Sequence, residues 1–120
     1  MNIESISQKN MESLKNNPYP GRAIIIGLSP DGKNFIQVYW IMGSSENSRN
    51  RIFVNDNGII KTQAHDESKV KDPSLIIYNS NRVLKNLHIV SNGDQTDTIF
   101  NEMQNKKQFE KSLVTRTFEP

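Results

Sequence analysis

The chain contains no cysteine. That removes a disulfide framework, thiolate metal sites and a cysteine nucleophile, and the usage fits a cytoplasmic protein. Long apolar runs are missing too, so no segment approaches the length of a membrane span. The N-terminus lacks the basic start and apolar core of a signal peptide, and Asn2 stands where myristoylation needs glycine. Charge of one sign is not in excess: 15 Lys+Arg face 13 Asp+Glu, a formal +2. The basic residues are scattered among acids, which argues against a nucleic-acid partner. The common phosphate-loop, dinucleotide, nucleophile-elbow and zinc-protease signatures do not occur. His65 and His88 have no ligand-spaced companions and read as solvated or core histidines. No single serine is selected for a Ser-His-Asp triad.

What is present fits one domain over residues 1–120, large enough for a core. Residues 3–16 carry Ile3, Ile6, Met11 and Leu14 at roughly helical spacing, with Asn2 able to cap and Pro18 to terminate. Ala23-Ile24-Ile25-Ile26-Gly27 is apolar on both faces and reads as a doubly covered strand. A turn at 29–33 returns the chain through Phe35–Met42, which holds the only tryptophan. Two apolar strands joined this way imply a sheet covered on both sides, hence α/β or α+β. Gly43 to Asn50 reads as a polar loop, and residues 51–55 and 59–62 form a hairpin about Asn57-Gly58. Residues 65–72 read as a charged, solvated loop. Leu75–Tyr78 is expected as a strand broken by Asn79-Ser80-Asn81, with a weaker strand pair at 83–90 about Lys85-Asn86. A final helix opens at Asp94, its expected cap, with Ile99, Phe100, Met103, Phe109 and Leu113 on its apolar face.

Polar clusters stand at the ends of these strands: Gly21-Arg22, residues 48–51, Tyr78-Asn79, Arg82, and Ser91-Asn92-Gly93 with Thr96-Asp97-Thr98. In an extended segment Arg49 and Arg51 would project to one side, a pair suited to phosphate or carboxylate. Two solvent-facing arginines explain the same stretch, and the residues alone do not decide. Asn92-Gly93 before a helix could offer N–H groups to an anion, but Asp94 and Asp97 would repel one, which favours a plain cap.

The ordered set of stretches Asn17-Pro18-Tyr19-Pro20-Gly21-Arg22, Val38-Tyr39-Trp40-Ile41-Met42-Gly43, Ser45–Arg51, Tyr78-Asn79, Ser91-Asn92-Gly93 with Thr96-Asp97-Thr98-Ile99, and Arg116-Thr117-Phe118-Glu119-Pro120 resembles the archaeal-type IMP cyclohydrolases and their bacterial relatives. The resemblance runs from residue 17 to the end. It implies an α+β fold, a four-layer αββα sandwich like that of the N-terminal-nucleophile hydrolases. The family's pattern continues past Pro120 with further strands and another proline-arginine segment, so a truncated form with an incomplete second sheet is expected. Where that wider fold exposes a nucleophile, this chain has internal Gly21-Arg22, in keeping with a cyclisation that needs no covalent intermediate.

The implied reaction closes 5-formamidoimidazole-4-carboxamide ribonucleotide to IMP with loss of water, the last step of purine synthesis, with no cofactor and no metal. Carried over by position, the catalytic residues would be Arg51, Tyr78 and Glu119. Asn79, Asn92 and Asp97 would contact substrate or its neighbours, and Arg22, Arg49 and Arg82 the phosphate. A homo-oligomer is expected; Tyr39–Met42 reads as core of the domain, and residues 45–51 as the wall of a nucleotide pocket. Two other readings are a non-catalytic purine-nucleotide-binding module and a structural domain of β-rich α+β type.

Overall fold

A computed structural model describes residues 2–74 and 76–115. Two compact units divide the chain, Met1–Met42 and Gly43–Pro120. Both contain antiparallel sheet and helix, so the class is α+β.

The N-terminal unit opens with α1, Ile3–Lys15. Asn2 caps it, its side-chain oxygen accepting from the Glu4 N–H at 3.0 Å. Glu4 in the first turn and Lys15 in the last match the helix dipole. β1 (Ala23–Leu28) and β2 (Phe35–Trp40) then pair from Ala23↔Trp40 to Leu28↔Phe35. Their turn holds Gly32 at φ +69°, where a side chain would be strained, and is closed by Ser29, Asp31 and Asn34. The described residues do not give the expected double cover. Ile25, Ile26, Leu28 and Phe35 are exposed, Phe35 by 91%. This sheet has two strands, and α1 buries none of its residues. Residues 39–42, expected as core, are half-buried.

The C-terminal unit is a meander. After the single-turn α2 (Glu46–Arg49) come β3 (Arg51–Asp56), β4 (Ile59–Ala64), β5 (Asn79–Leu84) and β6 (Leu87–Val90), hydrogen-bonded in that order. Asn57 and Gly58 both take positive φ, 50° and 87°, the conformation an Asn-Gly hairpin turn supplies. α3 (Gln95–Gln104) packs across β5 and β6, and α4 (Phe109–Ser112) packs on α3.

Three sequence expectations change here. The strand expected at 75–78 is irregular at its described residues, and the ladder runs instead through Asn79–Leu84. Polar Asn79 and Ser80 are satisfied in place, Ser80 Oγ donating to the Ile60 carbonyl across a register shift. The last helix ends at Gln104, because Asn105-Lys106-Lys107-Gln108 offers no apolar contact and Lys106 turns left-handed at φ 68°. Asp94 makes no side-chain cap bond.

Among the described residues the core comprises Ile76, Tyr78, Ile89 and Ile99, together with the hydroxyls of Thr62, Ser80, Thr96 and Ser112. Burying a hydroxyl is costly unless it is bonded, and each of these is. Thr62 Oγ1 donates to the Ile76 carbonyl at 2.7 Å and accepts from the Tyr78 N–H at 2.9 Å. Thr96 Oγ1 lies 2.7 Å from Ser91 Oγ, and the Ser91 N–H donates to the Ser80 carbonyl, which ties α3 to β5 and β6.

Candidate active site

The antiparallel order brings four chain segments to one end of the β3–β6 sheet. They are the start of β3 at Arg51, the end of β4 at Ala64, the start of β5 at Asn79 and the end of β6 at Val90. Tyr78 lies directly before β5, and Asn92 and the first turn of α3 directly after β6. Most of the expected site residues of this unit are therefore neighbours at one sheet end, although the sequence scatters them over more than forty positions.

Arg51 is 9% exposed and Tyr78 6%. A buried guanidinium is uncommon, since charge is costly to desolvate, and it marks Arg51 as the unusual cation of the sheet end. Thr62 connects the two. It stands two residues before Ala64, the cross-strand partner of Arg51, and bonds the N–H of Tyr78.

What precedes Arg51 is not the extended loop expected. Ser45 and Ser48 close a reciprocal capping box that winds 46–49 into α2. Asn50 then anchors the start of β3. Its Nδ2 donates to the Asp66 carbonyl at 2.7 Å, and its Oδ1 accepts from the Asp66 N–H at 2.8 Å. The Asp66 side chain is also engaged. The Ser68 hydroxyl first, then the Ser68 N–H and nearby Lys69 and His65, hold its carboxyl below the usual aspartate range. Asn47 fastens α2 to residues 71–72 in the same manner. The charged 65–72 loop is thus part of the site's frame rather than freely solvated.

The helical turn separates the two arginines. Arg49 is exposed, with Nη1 donating to the Ser44 carbonyl at 3.0 Å, while Arg51 enters the sheet. They do not form the one-sided pair that an extended segment would give.

A second cluster occupies the other face. Directly opposed residues share a face and neighbours alternate. Arg51, Ala64 and Thr62 fall on one side, while Lys61 and its partner Asn79 fall on the other. Arg82 joins Asn79, by its register with Ile89 next to the Asn81↔Val90 pair. There Asp97 of α3 meets them. Arg82 Nη1 is 2.8 Å from Asp97 Oδ1, and Asn79 Nδ2 is 3.0 Å from both carboxylate oxygens. The Arg82 guanidinium carbon lies 3.6 Å from the centre of the Phe100 ring. Asp97 thus bonds two β5 side chains rather than serving only the helix terminus.

Of the remaining expectations, Asn92 is exposed between β6 and α3. It borders a cleft of about 510 Å³ whose apolar wall includes Leu87, Ile89, Ile99, Met103 and Phe109. Among the described residues, none of the other expected ones lines that cleft. Arg22 is exposed in the N-terminal unit, ahead of β1. Glu119 lies outside the described residues. Among the described residues, no three His, Cys, Asp or Glu come together as a metal site, and no helix is long and apolar enough to cross a membrane.

Sequence reasoning does not single out Thr62, and it takes Asn50 only as part of the polar 48–51 cluster, because each matters through a partner 14 to 16 residues away. No match was found among curated proteins. A family model described as IMP cyclohydrolase-like protein matches residues 19–120, which takes in every candidate site residue from Arg22 to Glu119. On that match the chain belongs to the IMP cyclohydrolase-like family.

Proposed function

We propose that the protein is an IMP cyclohydrolase, closing 5-formamidoimidazole-4-carboxamide ribonucleotide to IMP with loss of water. The observation that carries the reading is a guanidinium, Arg51, buried at the sheet end at the position where the family resemblance puts a catalytic arginine. In the reaction the carboxamide nitrogen attacks the formyl carbon. A C–N bond forms, negative charge gathers on the formyl oxygen, and that oxygen leaves as water after taking up protons.

Arg51 serves the oxyanion. Away from bulk water its charge acts at low dielectric and needs no reorganisation as the oxygen becomes negative. Tyr78 supplies or positions a proton for that oxygen through its phenol. Glu119 accepts the proton released by the carboxamide nitrogen. The exposed cation Arg49 serves the 5′-phosphate, and Asn92 contacts substrate. The αββα sandwich belongs to the same proposal; α3 lying on the four-stranded sheet is one helix-on-sheet pair of the kind it requires. Self-association is favoured by the exposed apolar side chains of β1 and β2.

The test is steady-state conversion of the formamido ribonucleotide, followed by absorbance, in Arg51→Ala and Tyr78→Phe variants whose folding is checked by circular dichroism. Loss of an oxyanion donor should lower kcat by about 100-fold or more for Arg51→Ala. Loss of a positioned proton donor should lower it by about 100-fold for Tyr78→Phe. Unchanged turnover in either folded variant removes that residue from the mechanism.

A further inference from the structure

Asp31-Gly32, Asn57-Gly58 and Asn92-Gly93 each set a carboxyl or amide side chain before a glycine. In such pairs the glycine nitrogen, shielded by no side chain of its own, can attack the side chain before it. Asp31, Asn57 and Asn92 are all exposed, so access to water does not distinguish them. The attacking nitrogens do. The Gly32 N–H donates to the Ser29 carbonyl at 2.8 Å, and the Gly58 N–H to Asn55 Oδ1 at 2.9 Å. Both glycines are held in tight turns at positive φ, 69° and 87°. A nitrogen whose proton is bonded must give up that bond before it can be deprotonated and attack. Asp31 is also a poor electrophile. The Ser29 hydroxyl first, then the Lys33 N–H, hold its carboxyl below the usual aspartate range, as an unreactive carboxylate. By contrast, the Gly93 N–H donates to no described residue. Gly93 is held through its carbonyl, which accepts from Ser91 Oγ at 3.0 Å and from Thr96 Oγ1 at 3.3 Å.

We infer that Asn92-Gly93 is a site of spontaneous deamidation, with water as the co-reactant. The Gly93 nitrogen loses its proton to hydroxide and attacks Asn92 Cγ, forming a C–N bond. The side-chain nitrogen leaves as ammonia, and a cyclic imide closes. Water then opens the imide at either carbonyl. Opening at Cγ leaves an aspartate, and opening at the backbone carbonyl leaves an isoaspartate, whose chain runs through the former side chain. Both products replace a neutral amide by a carboxylate and lower the formal charge of +2 by one. The new charge lies just before α3 and on the edge of the apolar cleft. Isoaspartate also inserts an extra carbon into the backbone between Ser91 and Gly93. The Ser91 N–H is tied to the Ser80 carbonyl and the Gly93 carbonyl to Thr96, so the longer chain works against the bonds that fasten α3 to β5 and β6. This inference stands apart from the purine-nucleotide reading.

The full chain, native and in denaturant, is aged at mildly alkaline pH and digested at low pH. Mass spectrometry with fragmentation that separates aspartate from isoaspartate then reads each site. In native protein, conversion at Asn92 should outrun that at Asn57 by about fivefold or more, the factor one hydrogen bond on Gly58 contributes. In denaturant that bond is gone and the two sites should react alike. Gly93→Ala should slow conversion at Asn92 several-fold, because a methyl group then shields the nitrogen. A Cβ at Gly93 has Gln95 Oε1 as its nearest neighbour, at 2.5 Å, the far end of a flexible side chain that can move aside. Should that variant nevertheless fold poorly, the native and denatured wild-type rates decide alone. Asn92 intact in native protein while the denatured chain converts would show that the fold protects it, and would overturn the inference. Equal native rates at Asn57 and Asn92 would do the same. An unchanged rate in folded Gly93→Ala would point to direct hydrolysis of the side-chain amide, again against the inference.

Discussion

Thr62 is 1% exposed and holds two backbone groups of the segment that delivers Tyr78, the Ile76 carbonyl and the Tyr78 N–H. Thr62→Val keeps the shape and removes the hydroxyl, leaving both groups buried without it. At about 1–3 kcal/mol for each stranded group, unfolding by denaturant should lose about 2–6 kcal/mol, whereas Thr62→Ser should lose much less. Equal stability of the valine and serine forms would show that the hydroxyl does not hold this segment. Such a residue illustrates what a sequence hides. A threonine in a hairpin arm looks like any β-former, and nothing in one dimension marks its partners. Arg51 and Tyr78 became candidates through the ordered family motifs, but their burial was not legible. The pairing of Arg82 with Asp97 depends on α3 folding back over β5, so its neutralised charge was not legible either.

Elements were read best where local chemistry alone decides them. Asn2 caps α1, Asn57-Gly58 turns the β3–β4 hairpin, and the β5–β6 turn falls at Lys85-Asn86, all as the residues suggest. Reading failed where distant partners override propensity. The ladder shifted from the apolar 75–78 run to polar Asn79–Leu84 because Asn79 and Ser80 find bonds there. α2 was missed because a four-residue helix has no apolar period, although its Ser45 and Ser48 box is a real local signal. Gly43 lets that turn close. A Cβ at Gly43 would stand 2.5 Å from the Ser48 carbonyl carbon and 2.6 Å from the Arg49 nitrogen, backbone atoms that cannot swing aside. Gly43→Ala should therefore loosen α2 and the Asn50 anchor behind it, at a cost of about 1–3 kcal/mol. Amide hydrogen exchange over residues 45–50 should accelerate; exchange as slow as in wild type would mean that the turn tolerates the methyl group.

At the scale of the whole molecule, the α+β class and antiparallel pairing were legible from alternating apolar runs and turns, while the cover of those runs was not. β1 and β2 have the composition of strands buried on both faces, yet Ile26, Leu28 and Phe35 are exposed. Composition records what a strand can bury, not which surface it meets. The family match covers residues 19–120, and the four-stranded sheet brings the buried arginine and the segment of the buried tyrosine to one end, with the Asn79–Arg82–Asp97 cluster on its other face. The central claim is that this end closes a purine ring. The most direct measurement is conversion of 5-formamidoimidazole-4-carboxamide ribonucleotide to IMP by the purified chain, followed by absorbance and read beside titration with IMP. The account predicts turnover above the uncatalysed rate that falls by about 100-fold or more in Arg51→Ala. Tight binding of IMP by folded protein with no turnover would contradict it and leave a nucleotide-binding module in its place.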